Sequence, residues 1–337
     1  MPTLNTKENF MRLAFRQVPE YIPTYSLFWA FNGPPFFRPE FDPDKPMTNM
    51  FGVELVMDSS GIVPAPMPKT YDFLLTDITK WRDIVKIPDY DISDSAWAEA
   101  GKEALDNRNP EEPYGGGVSA GWFQTLVALM GFTEGLSACF EDPEEVKALM
   151  EYLTDWSIEQ SKKFLYYFKP DFGFIADDIA HERNPFLSLP MFQDIIAPYW
   201  RKYYEVFTDA GLPVGMHNCG HFELYLEDLV DMGCSFWDPV QSSNDEVAIK
   251  AQFGNDLALC GGPESRFWDD DTPEEQIRSE VRDYILKLAP GGGFAMFAFM
   301  DDVDEDNPPM PGMSVMEIRR MKWIAQEFNA LRWDMYK

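Results

Sequence analysis

The chain has 337 residues, of which 45% are hydrophobic and 25% charged, enough apolar material for a large core and too much for a disordered segment. Its 57 acidic residues against 28 basic ones give a formal charge of −29, which speaks against nucleic acid or an anionic membrane surface as a partner, since both need clustered Lys and Arg. Four cysteines (Cys139, Cys219, Cys234, Cys260) are too few for a secreted disulfide framework and read as free thiols or metal ligands in a reducing cytosol.

Taken in chain order, MPTLNTKENFMR has no signal-peptide core, and the longest apolar runs, such as GGFAMFAFM (292–300), are far short of the roughly 20 residues of a spanning helix. A cytoplasmic protein with no membrane segment is expected. The first 115 residues are irregular: YIPTYSLFWAF (21–31), FGVELVMD (51–58) and GGGVSAG (115–121) are the candidate early strands. Pro-rich stretches at 31–46 and 61–70 read as long loops, of the kind that form lids or substrate walls. Asp142-Pro143-Glu144-Glu145 and Thr272-Pro273-Glu274-Glu275 each read as a cap, a first-turn Pro and acids at a helix start. From residue 170 the pattern is regular. Strands are expected at 172–176, 212–216, 234–238, 257–260 and 292–299, with helices at 191–210, 222–232, 245–253 and 273–288 between them. Gly211, Gly233 and Gly254 fall just past helix ends, where a left-handed conformation is often needed. This alternation predicts a parallel sheet with helical crossovers: one domain over residues 1–337, a (β/α)8 TIM-type barrel with an irregular N-terminal extension and long loops.

In such a barrel the C-terminal ends of the strands form the active-site face. Asp177 and Asp178 follow the strand at 172–176, and they read as acid/base groups, as oxygen ligands to a metal, or as a capped turn before His181. Together, Asp177, Asp178 and His181 are the candidate catalytic residues. His217 and Cys219 follow the next strand. Imidazole and thiolate are preferred zinc ligands, and two of them separated by one residue at a strand end can turn toward one ion. Trp237 and Asp238 end the strand at 234–238, with Gln241 just beyond, and Glu264 follows the glycines after Cys260. Trp237, Asp238, Gln241 and Glu264 are the candidate substrate contacts. Cys260 is either a third metal ligand or a buried free thiol.

The runs from ADDIAHERNPFLSLPMF to GLPVGMHNCGHF and on to WDPVQ, then DLALCGGPESRFW to LKLAPGGGF, resemble the uroporphyrinogen decarboxylase superfamily, with ENFMRLAFRQVPEYIP and FGVELVMD fitting its divergent members. The resemblance implies a (β/α)8 barrel, often a homodimer, with one of two chemistries. Its decarboxylases bind a tetrapyrrole through Arg-Gln-x-Gly-Arg, where this chain has Arg16-Gln17-Val18-Pro19-Glu20. Its cobalamin-dependent methyltransferases carry His-x-Cys as zinc ligands and move a methyl group between a small donor and a corrinoid protein. His217 and Cys219 match that pair. The family's last Cys ligand would fall where this chain has Ala289-Pro290-Gly291-Gly292-Gly293, so either Cys260, Asp178 or Glu264 takes its place or the metal is absent. The resemblance thus points to a methyltransferase with zinc, a methyl-ether donor suiting the 15% aromatic content, and a corrinoid protein partner. The alternatives are a decarboxylase-like lyase and a non-catalytic relative that binds a small molecule or a corrinoid.

Overall fold

The computed structural model describes residues 2–37, 47–57, 64–66, 72–254, 256–264, 268–269, 271–297 and 313–336. Parts of the expected loops at 31–46 and 61–70, and the end of the strand expected at 292–299, lie outside them.

Short runs rich in aromatic and apolar residues, buried on both faces, are what a parallel sheet covered by helices requires. The central sheet is built from such runs. In chain order its strands are β1 (Thr24–Tyr25), β4 (Gly115–Gly116), β5 (Phe172–Ala176), β6 (Val214–His217), β7 (Cys234–Val240), β8 (Ala258–Gly261) and β9 (Phe294–Phe297). They lie in the order β1-β9-β8-β7-β6-β5-β4, every pairing parallel. A backbone bridge from Asn32 to Gly116 brings the chain just after β1 against β4, the opposite edge of the sheet. The remaining strands, β2 (Leu55–Met57) and β3 (Pro64–Pro66), form a separate antiparallel pair. FGVELVMD therefore contributes to this side ribbon and not to the central sheet.

The concave side of the sheet is filled by rings. Phe10, Tyr25, Phe172, Phe174 and Phe236 form one buried cluster with Cys260 and Ala295. Phe236 sits edge-on to Phe10 at 5.4 Å and to Phe172 at 5.3 Å, the geometry that aligns ring edges with ring faces. Gly215 makes room for it: a Cβ there would lie 2.3 Å from the Phe236 ring. The helix Thr6–Ala14 supplies Phe10, Leu13 and Ala14 to this cluster. Outside, a larger apolar cluster runs from Ile22 to Phe328 between sheet and helices.

Three local expectations change. The helix expected at 191–210 is two, Leu189–Ile195 and Ala197–Thr208, because Pro198 has no N–H to continue the ladder through Ile196. Asp142 flanks the helix Pro143–Phe168 without a side-chain cap bond, and Thr272 likewise stays outside the helix Glu274–Leu288, which starts after Pro273. Gly211 and Gly233 adopt positive φ, whereas Gly254 stays at φ −60°. Among the described residues no single helix is long and apolar enough to cross a membrane, and the chain bends by 114° between the apolar helices Phe123–Met130 and Phe132–Glu141.

Candidate active site

The C-terminal ends of β5, β6 and β7 converge. His217 ends β6 and pairs in register with Ala176 on one side and Asp238 on the other, so the parallel ladder alone brings the three loops together. Backbone bonds then lock them: Asn218 N–H donates to Asp238 O at 2.9 Å, and His221 N–H to His181 O at 2.9 Å.

Three side chains meet in the middle. One ligand atom from each of Asp178, His217 and Cys219 lies within 4.8 Å of the others, with His217 Nε2 3.8 Å from Cys219 Sγ. Two of them are held from behind. Asp178 accepts from Cys219 N–H at 2.8 Å through Oδ1 and from Gln124 Nε2 at 3.1 Å through Oδ2. His217 Nδ1 lies 3.0 Å from Asp238 Oδ2, and Asp238 Oδ1 accepts from the Tyr25 hydroxyl at 3.0 Å. Burial alone would lower the His217 imidazole, but its bonds to Asp238 and Cys219 outweigh that and hold it well above its usual range. Asp238 is wholly buried, and this pushes its carboxyl up against the opposing pull of His217 and Tyr25.

The adjacent acid points elsewhere. Asp177 is fully buried and accepts from the backbone N–H groups of Phe123 and Gln124, at 3.0 and 2.9 Å, and from Trp200 Nε1 at 3.1 Å. It anchors the start of the helix Phe123–Met130 and thereby aims Gln124 at Asp178. Burial pushes its carboxyl up to about 6, against those three donors.

The other sequence candidates surround this centre without joining it. Trp237 is wholly buried and donates to Asn218 O at 3.0 Å. Gln241 accepts from Gly220 N–H at 2.7 Å, and Glu264 accepts from the N–H and hydroxyl of Ser242, both at 2.7 Å. These bonds brace the loops after β6 and β7. Cys260 is buried among the rings inside the sheet, with its thiol held well above its usual range by burial, and stands outside the Asp178–His217–Cys219 group. The His181 side chain is exposed at the tip of the β5 loop. Asn244, Gln124 and Tyr25 were not singled out from sequence. Asn244 ties the loop together by accepting from Phe222 N–H and donating to Gly220 O.

Gly220 is a point of strict backbone demand. Its φ is +87°, and a Cβ would lie 2.8 Å from the His181 backbone. Gly220→Ala is therefore expected to cost about 1–3 kcal/mol, read as a lowered thermal midpoint; an unchanged midpoint would show that the two loops are free to part.

Asp178 and His217 line a cavity of about 560 Å³. Its wall is largely apolar, with Leu27, Phe31, Val118 and Phe174, and its polar groups include Asn32, Asn49 and Gln124. Phe31 lies edge-on to both Phe174 at 5.2 Å and His217 at 5.9 Å. Among the described residues no Lys or Arg lines this cavity. Arg16 lies at the far end of the strands: it donates to the carbonyl of Cys234, the first residue of β7, at 3.0 Å, in a small pocket with Gln17, Ala258 and Gly293.

Residues 48–297 match the family described as uroporphyrinogen decarboxylase (URO-D). Among solved structures, a methyltransferase from Methanosarcina mazei superposes with a TM-score of 0.61 at 14% identity, over 97% of this chain and 99% of that one. At that identity the likeness is one of fold. No curated protein matches the chain at a significant level.

Proposed function

This chain belongs to the uroporphyrinogen decarboxylase family, and within it we propose a methyltransferase that takes a methyl group from a small uncharged donor and passes it to a corrinoid on a partner protein. The observation that carries this reading is the Asp178–His217–Cys219 group beside a cavity without basic residues among those described. The structural neighbour's description as a methyltransferase supports it. The curled parallel sheet, with the Asn32 bridge reaching β4, supports a TIM-type barrel with this site at its C-terminal face.

The donor set fits zinc. Imidazole, thiolate and carboxylate are its usual ligands, and three protein ligands is the count of catalytic zinc sites. Asp178, from the end of β5, is the third donor here, in place of the cysteine that the family resemblance would put at Ala289–Gly293. Zinc bound there would supply a Lewis acid for the atom that gives up the methyl group. The rest is the work of the chain's own residues. Gln124 and the Cys219 N–H fix the two oxygens of Asp178, and Asp238 fixes the ring of His217. Phe31 and Phe174 give the donor an apolar wall, while Asn49 and the second N–H of Gln124 offer amide donors to an ether oxygen, the Asn32 amide being turned to the carbonyls of Trp29 and Gly115. The methyl group leaves as a cation equivalent, and the donor departs as an alkoxide or phenolate that takes up a proton. A methyl ether of aromatic size suits such a cavity.

A polycarboxylate does not. Burying carboxylates requires paired cations, and Arg16 and Gln17 sit at the opposite end of the strands from His217. The decarboxylase reading therefore loses the Arg16-Gln17 pair, and no Lys or Arg among the described residues lines the cavity in its place.

The test mixes the protein with a corrinoid protein in its cob(I)alamin state and a panel of methyl ethers. The methylcobalamin absorption spectrum is expected with at least one donor and not in the Cys219→Ser variant. Formation of CO2 from a carboxylated substrate, with no methylcobalamin from any donor, would overturn the reading.

A further inference from the structure

Resting on the metal-site reading above, we propose that Tyr25 is a positioning residue for that site: through Asp238 it sets which ring nitrogen of His217 faces Cys219 and Asp178. Tyr25 closes β1, a strand only two residues long that is held to the sheet by β9. Its ring is wholly buried and packs against Phe10, Phe236 and Phe297. In such surroundings a phenylalanine would fill the same space. What the phenol adds is one hydrogen bond, from its hydroxyl to Asp238 Oδ1 at 3.0 Å.

That bond matters because of what the other carboxylate oxygen does. Asp238 is itself wholly buried, and Oδ2 lies 3.0 Å from His217 Nδ1. With one oxygen pinned by Tyr25, the carboxylate plane cannot turn, and Oδ2 stays in place as the acceptor for Nδ1–H. When the imidazole is neutral, as a metal ligand must be, it keeps its proton on Nδ1 and directs the Nε2 lone pair at the Cys219 side. Burial holds the Tyr25 phenol well above its usual range, so the O–H remains a donor. The relay thus runs from β1 through β7 to β6: three strands that meet only in the folded protein build one oriented ligand. Without the hydroxyl, Asp238 is free to rotate, the ring loses its fixed partner, and both tautomers become accessible.

Tyr25→Phe separates this role from packing. The chain has three histidines, His181, His217 and His221, so the side-chain nitrogens can be assigned in long-range ¹H–¹⁵N spectra. At a pH high enough to remove the second proton that Asp238 and Cys219 favour on the ring, metal-free wild-type His217 is expected as the Nδ1–H tautomer, and His217 in Tyr25→Phe as a mixture. Zinc affinity, measured by competition with a chromogenic chelator, is expected to fall about 10- to 100-fold, the usual cost of losing an outer-shell partner. Asp238→Asn, which breaks the relay at its next link, is expected to disturb the same tautomer signal. Circular dichroism shows whether each variant folds. A Tyr25→Phe protein with the wild-type tautomer and the wild-type zinc affinity would overturn the proposal. Should the wild type take up no zinc, the metal reading falls, and the tautomer comparison alone still decides whether Tyr25 orients His217.

Discussion

His217→Ala is expected to lower zinc affinity by about 100- to 1,000-fold. A full protein zinc site is worth roughly 10–16 kcal/mol, so one ligand of three or four accounts for about 3–4 kcal/mol, and each 1.4 kcal/mol is a factor of ten. His217 carries two functions in one ring: Nε2 faces Cys219, and Nδ1 pairs with the buried Asp238. Its removal therefore also takes a donor from Asp238, and a drop in thermal stability should accompany the loss of metal. Cys219→Ser separates the two, since Cys219 is only half-buried and its thiol braces nothing behind it. That variant is expected to lose zinc with little change in melting. Wild-type affinity in both, by chelator competition, would place the metal elsewhere.

Asp177→Ala is expected to be the more damaging change to stability, though it touches no candidate ligand. Three buried donors converge on this carboxylate: two backbone N–H groups at a helix start and the Trp200 indole. Removing the acceptor leaves all three neutral donors unpaired, at about 1–3 kcal/mol each before relaxation, a cost of about 3–5 kcal/mol in all. With about 2.1 cal/mol/K of unfolding entropy per residue across 337 residues, the thermal midpoint should drop by about 4–7 °C. The pH dependence has a definite sign. The carboxyl titrates near 6 in the folded chain against 3.8 ordinarily, so its contribution is complete below about pH 4 and is lost as pH rises through 6. The gap between wild type and variant should therefore be wider at pH 5 than at pH 8. A midpoint within 1–2 °C of wild type at pH 5, where the gap is the wider of the two, would mean that water replaces the lost acceptor.

These two acids show what a sequence can and cannot convey. Asp177 and Asp178 are adjacent and read alike, yet one sits beneath the site as a helix anchor and the other faces the cavity. The difference lies in which side of the chain each turns to at the end of β5, and that depends on the helix Phe123–Met130, more than fifty positions away in the chain. The parallel strands from residue 170 onward were legible because apolar runs, glycines and amphipathic helices recur at short range. The strands β1 and β4 were hard to place because each is two residues long, too short for any periodicity. Likewise His217 and Cys219 stood out by their spacing at a strand end. Tyr25 and Gln124 did not, because their bonds to Asp238 and Asp178 span 213 and 54 positions and leave no local mark. Cys260 drew notice as a thiol at a strand end. Its side chain turns instead into the aromatic interior, an orientation that the two-residue repeat of a strand settles only once the register is known.

Zinc K-edge X-ray absorption on the purified protein tests the metal centre most directly. One zinc per chain, with a single sulfur at about 2.3 Å and its remaining ligands nitrogen or oxygen at about 2.0–2.2 Å, is the result expected of Asp178, His217 and Cys219. Two or more sulfurs would bring Cys260 or another thiol into the site, and a protein that takes up no zinc would contradict the metal centre altogether.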